Sequence, residues 1–370
     1  MALCDDGWVN RVVDYSALLY PVPREQVDAF RARAKAEGKP WAVVNAGQVI
    51  AVVLAAVVMG GLILAFSAAF MGLGVSSMQN GNVNPVGVIA TLFPALFLAG
   101  FVAVVVVVIR SIVRGRNWET WLRLETFAKA NGMNFSPSDA NPHYPGAIFN
   151  QGDSRLVTNH LTSASDRFLD IGNYQYSTGS GKSRSTHNWG FMALNLDRKL
   201  PNMVLDSKAN NGLFGGTNLP AYFDKKQILS LEGNFNEYFT LYCPREYERD
   251  ALYVFTPDLM ALLIDNAAPF DVEIVDDWMF VYSAAPFPST APGLYQRLFQ
   301  IVDTVGAKTL AQTDRYVDEK VGDFAANFVA PQGQRLKRGF SVGAVIFVVA
   351  FLLLWGLPQL IGFFALFATR

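Results

Sequence analysis

The run Thr178-Gly-Ser-Gly-Lys-Ser183 carries the residue types that cradle a phosphate. A phosphate loop also needs a glycine five positions before the Gly-Lys pair, and this chain has Tyr176 there. The loop must open a helix whose amides face the ligand, whereas Arg184-Ser-Thr-His-Asn-Trp-Gly190 leads into a strand pattern. The run therefore reads as a hairpin tip. A serine nucleophile would sit on a Gly-x-Ser-x-Gly elbow, a spacing that Gly179-Ser-Gly181 lacks, and His187 beside it reads as a surface histidine. Asp276-Asp277 invites metal or acid–base chemistry, but paired Asp also suits a turn, because the side chain bonds its own backbone. Cys4 and Cys243 stand far apart, and His143, His160 and His187 are scattered, with no metal-ligand spacing. Cys243, next to Pro244, reads as a small buried hydrophobe. No catalytic, cofactor-binding or metal-ligating set emerges, and no cofactor is expected.

The most distinctive charged stretch is Tyr242-Cys-Pro-Arg-Glu-Tyr-Glu-Arg-Asp-Ala-Leu-Tyr-Val-Phe-Thr-Pro-Asp-Leu-Met. It reads as strand, charged turn, strand and capped helix. Arg245 and Arg249 are its candidate contacts for an acidic protein partner; the alternative is a solvated connection between strands.

The elements that would position such groups divide into apolar and polar parts. Half of the 370 residues are hydrophobic and 16% are charged, against about 25% in average soluble domains. No Asp, Glu, Lys or Arg occurs from Pro40 to Ile109 or from Gly339 to Thr369. About 20 apolar residues cross a bilayer, so transmembrane helices are expected at 42–66, 86–109 and 339–369. Residues 67–85 between the first two form a Gly/Ser/Asn-rich loop. Gly356-Leu-Pro358 interrupts the last segment, which is either one kinked crossing or a re-entrant hairpin. The first apolar core begins too late in the chain for a secretory signal.

Orientation follows from Lys and Arg in the flanks. Six precede the first segment (Arg11, Arg24, Arg31, Arg33, Lys35 and Lys39), and none lies in 67–85. Arg110, Arg114 and Arg116 follow the second segment, while Arg335, Lys337 and Arg338 precede the third. The N-terminal segment 1–41 and the domain 110–338 are thus expected in the cytoplasm, at an inner membrane. The basic flanks would meet anionic headgroups of the lipid bilayer. Trp118 and Trp121 open a helix over 118–130 that reads either as an interfacial anchor or as the first core helix of the domain. The membrane segments hold no ionisable residue, which argues against a transport path. Ala56/Gly60 and Ala95/Ala99/Ala103 form small-residue faces that could pack the helices on one another or support a homo-oligomer.

The stretch from Asn117 to Gln334 holds 17 Lys and Arg against 25 Asp and Glu, which excludes the basic footprint of a nucleic-acid binder. From about residue 141, alternating runs mark β structure: 155–162, 168–177, 189–196, 239–243 and 252–255, with a hairpin over 272–282 turning at Asp276-Asp277. Thr256-Pro-Asp caps a helix. Leu294, Leu298, Ile301 and Val305 outline an amphipathic helix over 292–311, and a weaker one covers 23–34. Strands and helices mix without regular β–α alternation, so the class is α+β: an antiparallel sheet with flanking helices, attached to three transmembrane helices.

The charged stretch, with Trp189-Gly-Phe-Met-Ala-Leu before it and 272–282 after it, resembles uncharacterised bacterial, chiefly actinobacterial, integral membrane proteins. More distantly it is similar to the bacterial domain of unknown function 3137, whose members share a strand, an acid/Arg turn, a strand and a Thr-Pro-x-Leu/Met helix. The likeness covers about residues 188–283. It implies a bacterial inner-membrane location and brings no established activity. Together these features lead to the expectation of a non-enzymatic, membrane-anchored binding domain in an envelope or signalling role. A membrane-bound enzyme with an unrecognised site and an accessory subunit of a channel or transport complex are the alternatives.

Overall fold

The computed structural model describes residues 12–42, 46–78, 85–114, 117–140, 142–164, 167–212, 216–321 and 327–338. The chain divides into two compact units, one of residues 21–122 and one of 1–20 together with 123–370. The expected third membrane segment, at 339–369, lies outside the described residues.

A single turn, α1 (Ser16–Leu19), precedes the 21–122 unit. That unit begins with α2 (Arg24–Ala36), whose buried Phe30 and Ala34 realise part of the expected apolar stripe. Two long apolar helices follow, α3 (Ala46–Met78) and α4 (Pro85–Arg114), which pack on each other. Gly60 lies on the contact face, where an added Cβ would stand 3.6 Å from the Phe101 ring. The expected loop over 67–85 is corrected in part, because α3 continues to Met78. Ser67-Ala-Ala-Phe-Met carries no proline, and its good helix formers let the backbone bonds propagate. Among the described residues, one window, Val53–Phe70, is long and apolar enough to cross a membrane, and α4 contributes the shorter apolar run Leu92–Val108.

The other unit is α+β. After α5 (Trp118–Ala130), an antiparallel seven-stranded sheet is built from β1 (Met133–Ala140), β2 (Asp153–Ser163), β3 (Leu169–Thr178), β4 (Ser185–Ser207), β5 (Ile228–Leu229), β6 (Phe239–Tyr242) and β7 (Asp271–Ser283). Helices α6 (Phe235–Tyr238), α7 (Glu248–Val254) and α8 (Pro257–Leu262) lie between β5 and β7 in sequence, and α9 (Pro292–Ile301) and α10 (Ala307–Thr313) follow. The strand order is β1-β2-β3-β4-β6-β5, with β7 paired along the other side of β4. The 23-residue β4 is the spine: its first half lies between β3 and β7, its last residues between β6 and β7.

Alternation along the strands supplies both faces of the sheet. Met192 and Leu194 of β4 join the core shared with Leu124, Phe127, Leu259 and Leu298 from the helices. Phe191 and Ala193 join an aromatic core on the opposite face, with Ile148, Phe149, Tyr174 and Phe280. The parity then reverses: Met203 and Leu205 face the helices, Val204 the aromatic core. The same reversal occurs in β7, between Ile274 and Met279.

This reversal corrects the hairpin expected over 272–282. Asp276 takes a left-handed φ of 52°, and the strand continues rather than turning. Register shifts between Asn195 and Leu200, and between Leu200 and Met203, match the slip on β4. A bulge of this kind flips the side chains downstream to the other face, which imitates a turn in the sequence pattern. The expected strand at 252–255 is also corrected, since Leu252–Val254 complete α7. Ala251 and Val254 are buried while Leu252 and Tyr253 are exposed, a helical rather than a two-residue period. At the expected cap, the Thr256 hydroxyl accepts from the Leu259 amide.

Within the expected N-terminal segment 1–41, residues 14–18 pack onto the sheet unit. Leu18 is buried in the helix-side core and Tyr15 stacks on Phe127 at 5.9 Å. The Asn131 side chain accepts from the Asp14 amide at 2.8 Å and donates to the Asp14 carbonyl at 3.0 Å. The Arg123 guanidinium donates to the carbonyls of Ala17 and Leu18. These bonds satisfy backbone groups of a segment with no strand or long helix of its own.

Candidate membrane-interface site

Within the 21–122 unit, four aromatic rings gather where the polar and apolar parts of the sequence meet. α2 supplies Phe30, a short 3₁₀ turn (Pro40–Ala42) supplies Trp41, and the first turn of α5 supplies Trp118 and Trp121. The i, i+3 spacing sets the last two on one helix face. Trp118 and Trp121 meet edge to face at 5.3 Å, and Trp41 lies 5.6 Å from Trp121 and 6.1 Å from Trp118. Phe30 closes the group at 5.9 Å from Trp118 and 6.0 Å from Trp41. The Arg31 guanidinium stands over the Trp118 ring at 5.7 Å. The three indoles are half-buried. An apolar ring with a polar N–H suits a boundary where one side is greasy and the other wet.

Trp118 and Trp121 are the two aromatic residues that sequence reasoning singled out; Trp41 and Phe30 complete the group. The signal for Trp41 was its place just inside the uncharged run, directly after Lys39-Pro40. Of the two readings of helix 118–130, the core reading is realised by its second half: Leu124, Phe127 and Ala128 enter the core of the sheet unit, while the tryptophans of its first turn enter this cluster.

Along α3 and α4 the large apolar side chains point outward, with Leu62 62%, Phe66 67% and Leu96 72% exposed. A helix pair built for water would turn this surface inward. Between the helices lies a cavity of about 340 Å³ lined by Leu62, Phe66, Phe70, Phe93, Pro94 and Phe97.

The expected basic contacts separate into groups. Arg110 and Arg114 fall in the last turns of α4, and Arg116 is outside the described residues. In the other unit, Arg335 pairs with Asp276 at 3.0 Å. The backbone of Lys337 is bracketed by the Gln227 side chain, which accepts from its amide and donates to its carbonyl, both at 2.9 Å. Arg338 forms a β-bridge with Phe223. The segment 335–338 is thus stitched to the domain just before the last apolar run.

Arg245 and Arg249 have different neighbours. The Arg245 Nε donates to the Lys226 carbonyl at 2.9 Å, and Arg249 lies 3.9 Å from Glu319 with its side chain 89% exposed. Contacts of nearby residues join the charged stretch to residues 316–320: the Tyr247 hydroxyl donates to Asp318 and the Tyr316 hydroxyl to Asp250, while the Lys320 ammonium sits 3.9 Å from the Tyr247 ring centre. Burial, with smaller contributions from Glu248 and Asp250, pushes the Cys243 thiol up to about 12, which matches the inert reading of that residue.

Sequence reasoning missed the polar groups that the sheet brings together. His160 on β2 lies between Asp139 on β1 and Asp170 on β3, with Nε2 2.7 Å from Asp139 and Nδ1 3.1 Å from Asp170. The Tyr144 hydroxyl donates to the other Asp170 oxygen at 2.7 Å. Burial alone would lower the His160 imidazole, but Asp170 and then Asp139 outweigh it and hold it above its usual range. On β7, Glu273 accepts from the Ala147 amide at 2.7 Å, from the Tyr282 hydroxyl at 2.8 Å and from the Asn202 amide at 3.2 Å. These partners come from three distant parts of the chain, so no local motif announced them.

The Gly181–Ser183 stretch is a 3₁₀ turn at the tip of the β3–β4 hairpin, with Gly179 at φ 78° and Gly181 at φ 54°. The hairpin reading of the glycine-rich run is thereby realised, and no helix follows it. His187 stacks on Tyr176 at 4.8 Å and bonds the Thr178 hydroxyl at 2.9 Å.

No family model matches the chain, and no curated protein matches it. Among solved structures, the crystal structure of the mycobacterial trehalose monomycolate transport factor A overlaps 53% of this chain and 92% of its own, at 12% identity and a TM-score of 0.33. That overlap is too loose to define a common fold.

Proposed function

We propose that this chain is an integral membrane protein of a bacterial inner membrane that holds its α+β domain at the cytoplasmic face, where the domain binds a protein partner. The observation that carries this reading is the packing of residues 13–18 onto α5, in the unit that also holds the sheet. The chain on either side of the α3–α4 pair thus belongs to one folded unit, and an apolar excursion that leaves and rejoins one unit crosses a bilayer an even number of times. Two passes fit: 33 and 30 residues at about 1.5 Å each exceed the roughly 30 Å of hydrocarbon.

The outward-facing apolar side chains of the pair would meet acyl chains. The Trp41–Trp118–Trp121 group would lie at headgroup depth, with Arg110, Arg114 and Arg116 near anionic lipid. The third uncharged run, 339–369, supplies a further crossing. Lys and Arg on the flanks favour the domain inside. Kinship with uncharacterised actinobacterial membrane proteins belongs to the same proposal, as does an envelope or signalling role. Arg249, whose ion pair with Glu319 is long and exposed, is the better candidate of the two arginines for an acidic partner.

The test is fractionation followed by cysteine labelling in whole cells. The protein should resist alkaline carbonate extraction. Cysteine placed at Ser77 should label from outside, and cysteine at Ser180 only after permeabilisation. Release by carbonate, or labelling of Ser180→Cys in intact cells, would sink the reading.

A further inference from the structure

The described part of the sheet unit ends at Lys337 and Arg338, and the fold sets a second basic segment beside them. Phe223 forms an antiparallel bridge with Arg338, and the Asp224 amide donates to the Lys337 carbonyl at 3.1 Å. Gln227 closes a 3₁₀ turn over Lys225–Gln227, and its side chain brackets the Lys337 backbone across 110 positions of sequence. Lys225 and Lys226 therefore lie within two residues of this junction, at about 3.8 Å of chain per residue. The Asp224 carboxylate, the acid of this segment, accepts from the Lys226 amide at 3.0 Å. The Arg245 Nε joins the group by donating to the Lys226 carbonyl at 2.9 Å.

Lys225, Lys226, Lys337 and Arg338 are all exposed. Among the described residues none of the four is in an ion pair, whereas Arg335, two positions before Lys337, is paired with Asp276. Two apolar side chains share the segment, Tyr222 at 50% and Ile228 at 42% exposed. Ile228 belongs to β5, the two-residue strand at one edge of the sheet. Such a strip stands out in this unit, since the stretch from Asn117 to Gln334 holds 17 Lys and Arg against 25 Asp and Glu. An anionic surface repels a domain of that charge in most orientations and attracts it in the one that presents the strip.

We propose that Tyr222, Lys225, Lys226, Ile228, Lys337 and Arg338 form a docking surface for anionic phospholipid headgroups, which lays the β5 edge of the sheet against the bilayer. The proposal rests on the membrane reading above and deepens it, because it fixes which side of the domain meets the lipid. Two observations choose this occupant. The charge is complementary, and the chain continues from Arg338 into the uncharged run Gly339 to Thr369, so the strip lies where the chain enters lipid in that reading. Cations are drawn to an anionic surface within about a Debye length, ~10 Å at 0.1 M salt. Tyrosine suits headgroup depth, where its ring is half wet. Lys337 and Arg338 are legible in the sequence as flank charges, but Lys225 and Lys226 reach the strip only through the fold.

The full chain carrying Cys4→Ser and Ile228→Cys, which leaves buried Cys243 as the other thiol, is labelled with bimane. It is reconstituted in bilayers with a nitroxide on the lipid headgroup, either phosphatidylcholine alone or with one third phosphatidylglycerol. Bimane should be quenched in the phosphatidylglycerol bilayers and recover in about 1 M salt, where the Debye length falls to ~3 Å. Lys225→Gln with Lys226→Gln should lower the ratio of docked to free domain by roughly five-fold per charge. Both side chains are exposed, so the fold tolerates the change. Absent quenching, equal quenching in the two bilayers, or quenching that ignores both substitutions would overturn the surface; the anchor still stands if carbonate leaves the protein in the membrane. Release by carbonate would remove the anchor and this surface together. An acidic protein bound through Lys225 and Lys226, with bimane unquenched in both bilayers, would assign the strip to a protein instead.

Discussion

Two carboxylates hold His160 from opposite sides and favour its charged form. In the folded chain its imidazole stays protonated above the usual range, while in the unfolded chain it titrates near 6.5. The sign follows from linkage: the contribution to stability is complete below about pH 6.5 and disappears as pH rises through the folded-state value. Replacing His160 with Gln should cost on the order of 2 kcal/mol at about pH 6 and clearly less at about pH 9. Urea unfolding of both proteins at the two pH values measures this, and an equal cost at both would refute the charged pair. Nothing in the sequence pointed to this group, because Asp139, His160 and Asp170 become neighbours only through the pairing of three strands. Gly172 belongs to the same arrangement: a Cβ there would stand 2.4 Å from the Cβ of His160, so the histidine crosses the sheet over a position that only glycine can fill. By contrast, the tip chemistry of Gly179-Ser-Gly181 and the inertness of Cys243 were legible, since each depends on local geometry or simple burial.

Elements with a self-contained period were legible too. The cap at Thr256 and the stripe of Leu294, Leu298, Ile301 and Val305 could be read directly, because a helix declares its buried face within a few turns. The strand β7 could not, because its bulge at Asp276 exchanges the two faces midway and mimics a hairpin. The α7 segment was misread because its four apolar residues fit a short strand as well as a helical turn. The attachment of α1 was hidden for another reason: it depends on Asn131, more than a hundred residues away, whose side chain bonds Asp14 twice and the Phe127 carbonyl once. Asn131→Ala should destabilise the sheet unit by about 1 kcal/mol, since it removes two part-buried hydrogen bonds to the Asp14 backbone. Hydrogen exchange at Asp14, Ser16 and Leu18 should speed up in that variant. Unchanged exchange there would show that Leu18 and Tyr15 hold the segment without it.

At the level of the whole molecule, the α+β class and the apolar character of α3 and α4 followed from composition and charge spacing. The tie between the N-terminal segment and the sheet unit did not. In the proposed arrangement the aromatic group of Phe30, Trp41, Trp118 and Trp121 marks the depth at which the polar part meets the lipid. Reconstitution in bilayers with brominated acyl chains should therefore quench part of the tryptophan emission. The triple variant Trp41→Phe, Trp118→Phe, Trp121→Phe should lose most of the quenchable share; equal quenching in both proteins would place those indoles away from the bilayer.

The position of β4 in the sheet also imposes an order in time. One side of this strand is covered by β3 and β6, but the other side waits for β7, and Ser207 and Asp271 are separated by 64 positions. At roughly 5–20 residues added per second, the ribosome needs about 3–13 s to deliver that partner. Throughout that interval the longest strand of the molecule offers a bare row of amides and carbonyls to any neighbouring nascent chain. The same edge persists in every fragment that stops short of β7, so the domain comes into being only when its last strand has been made.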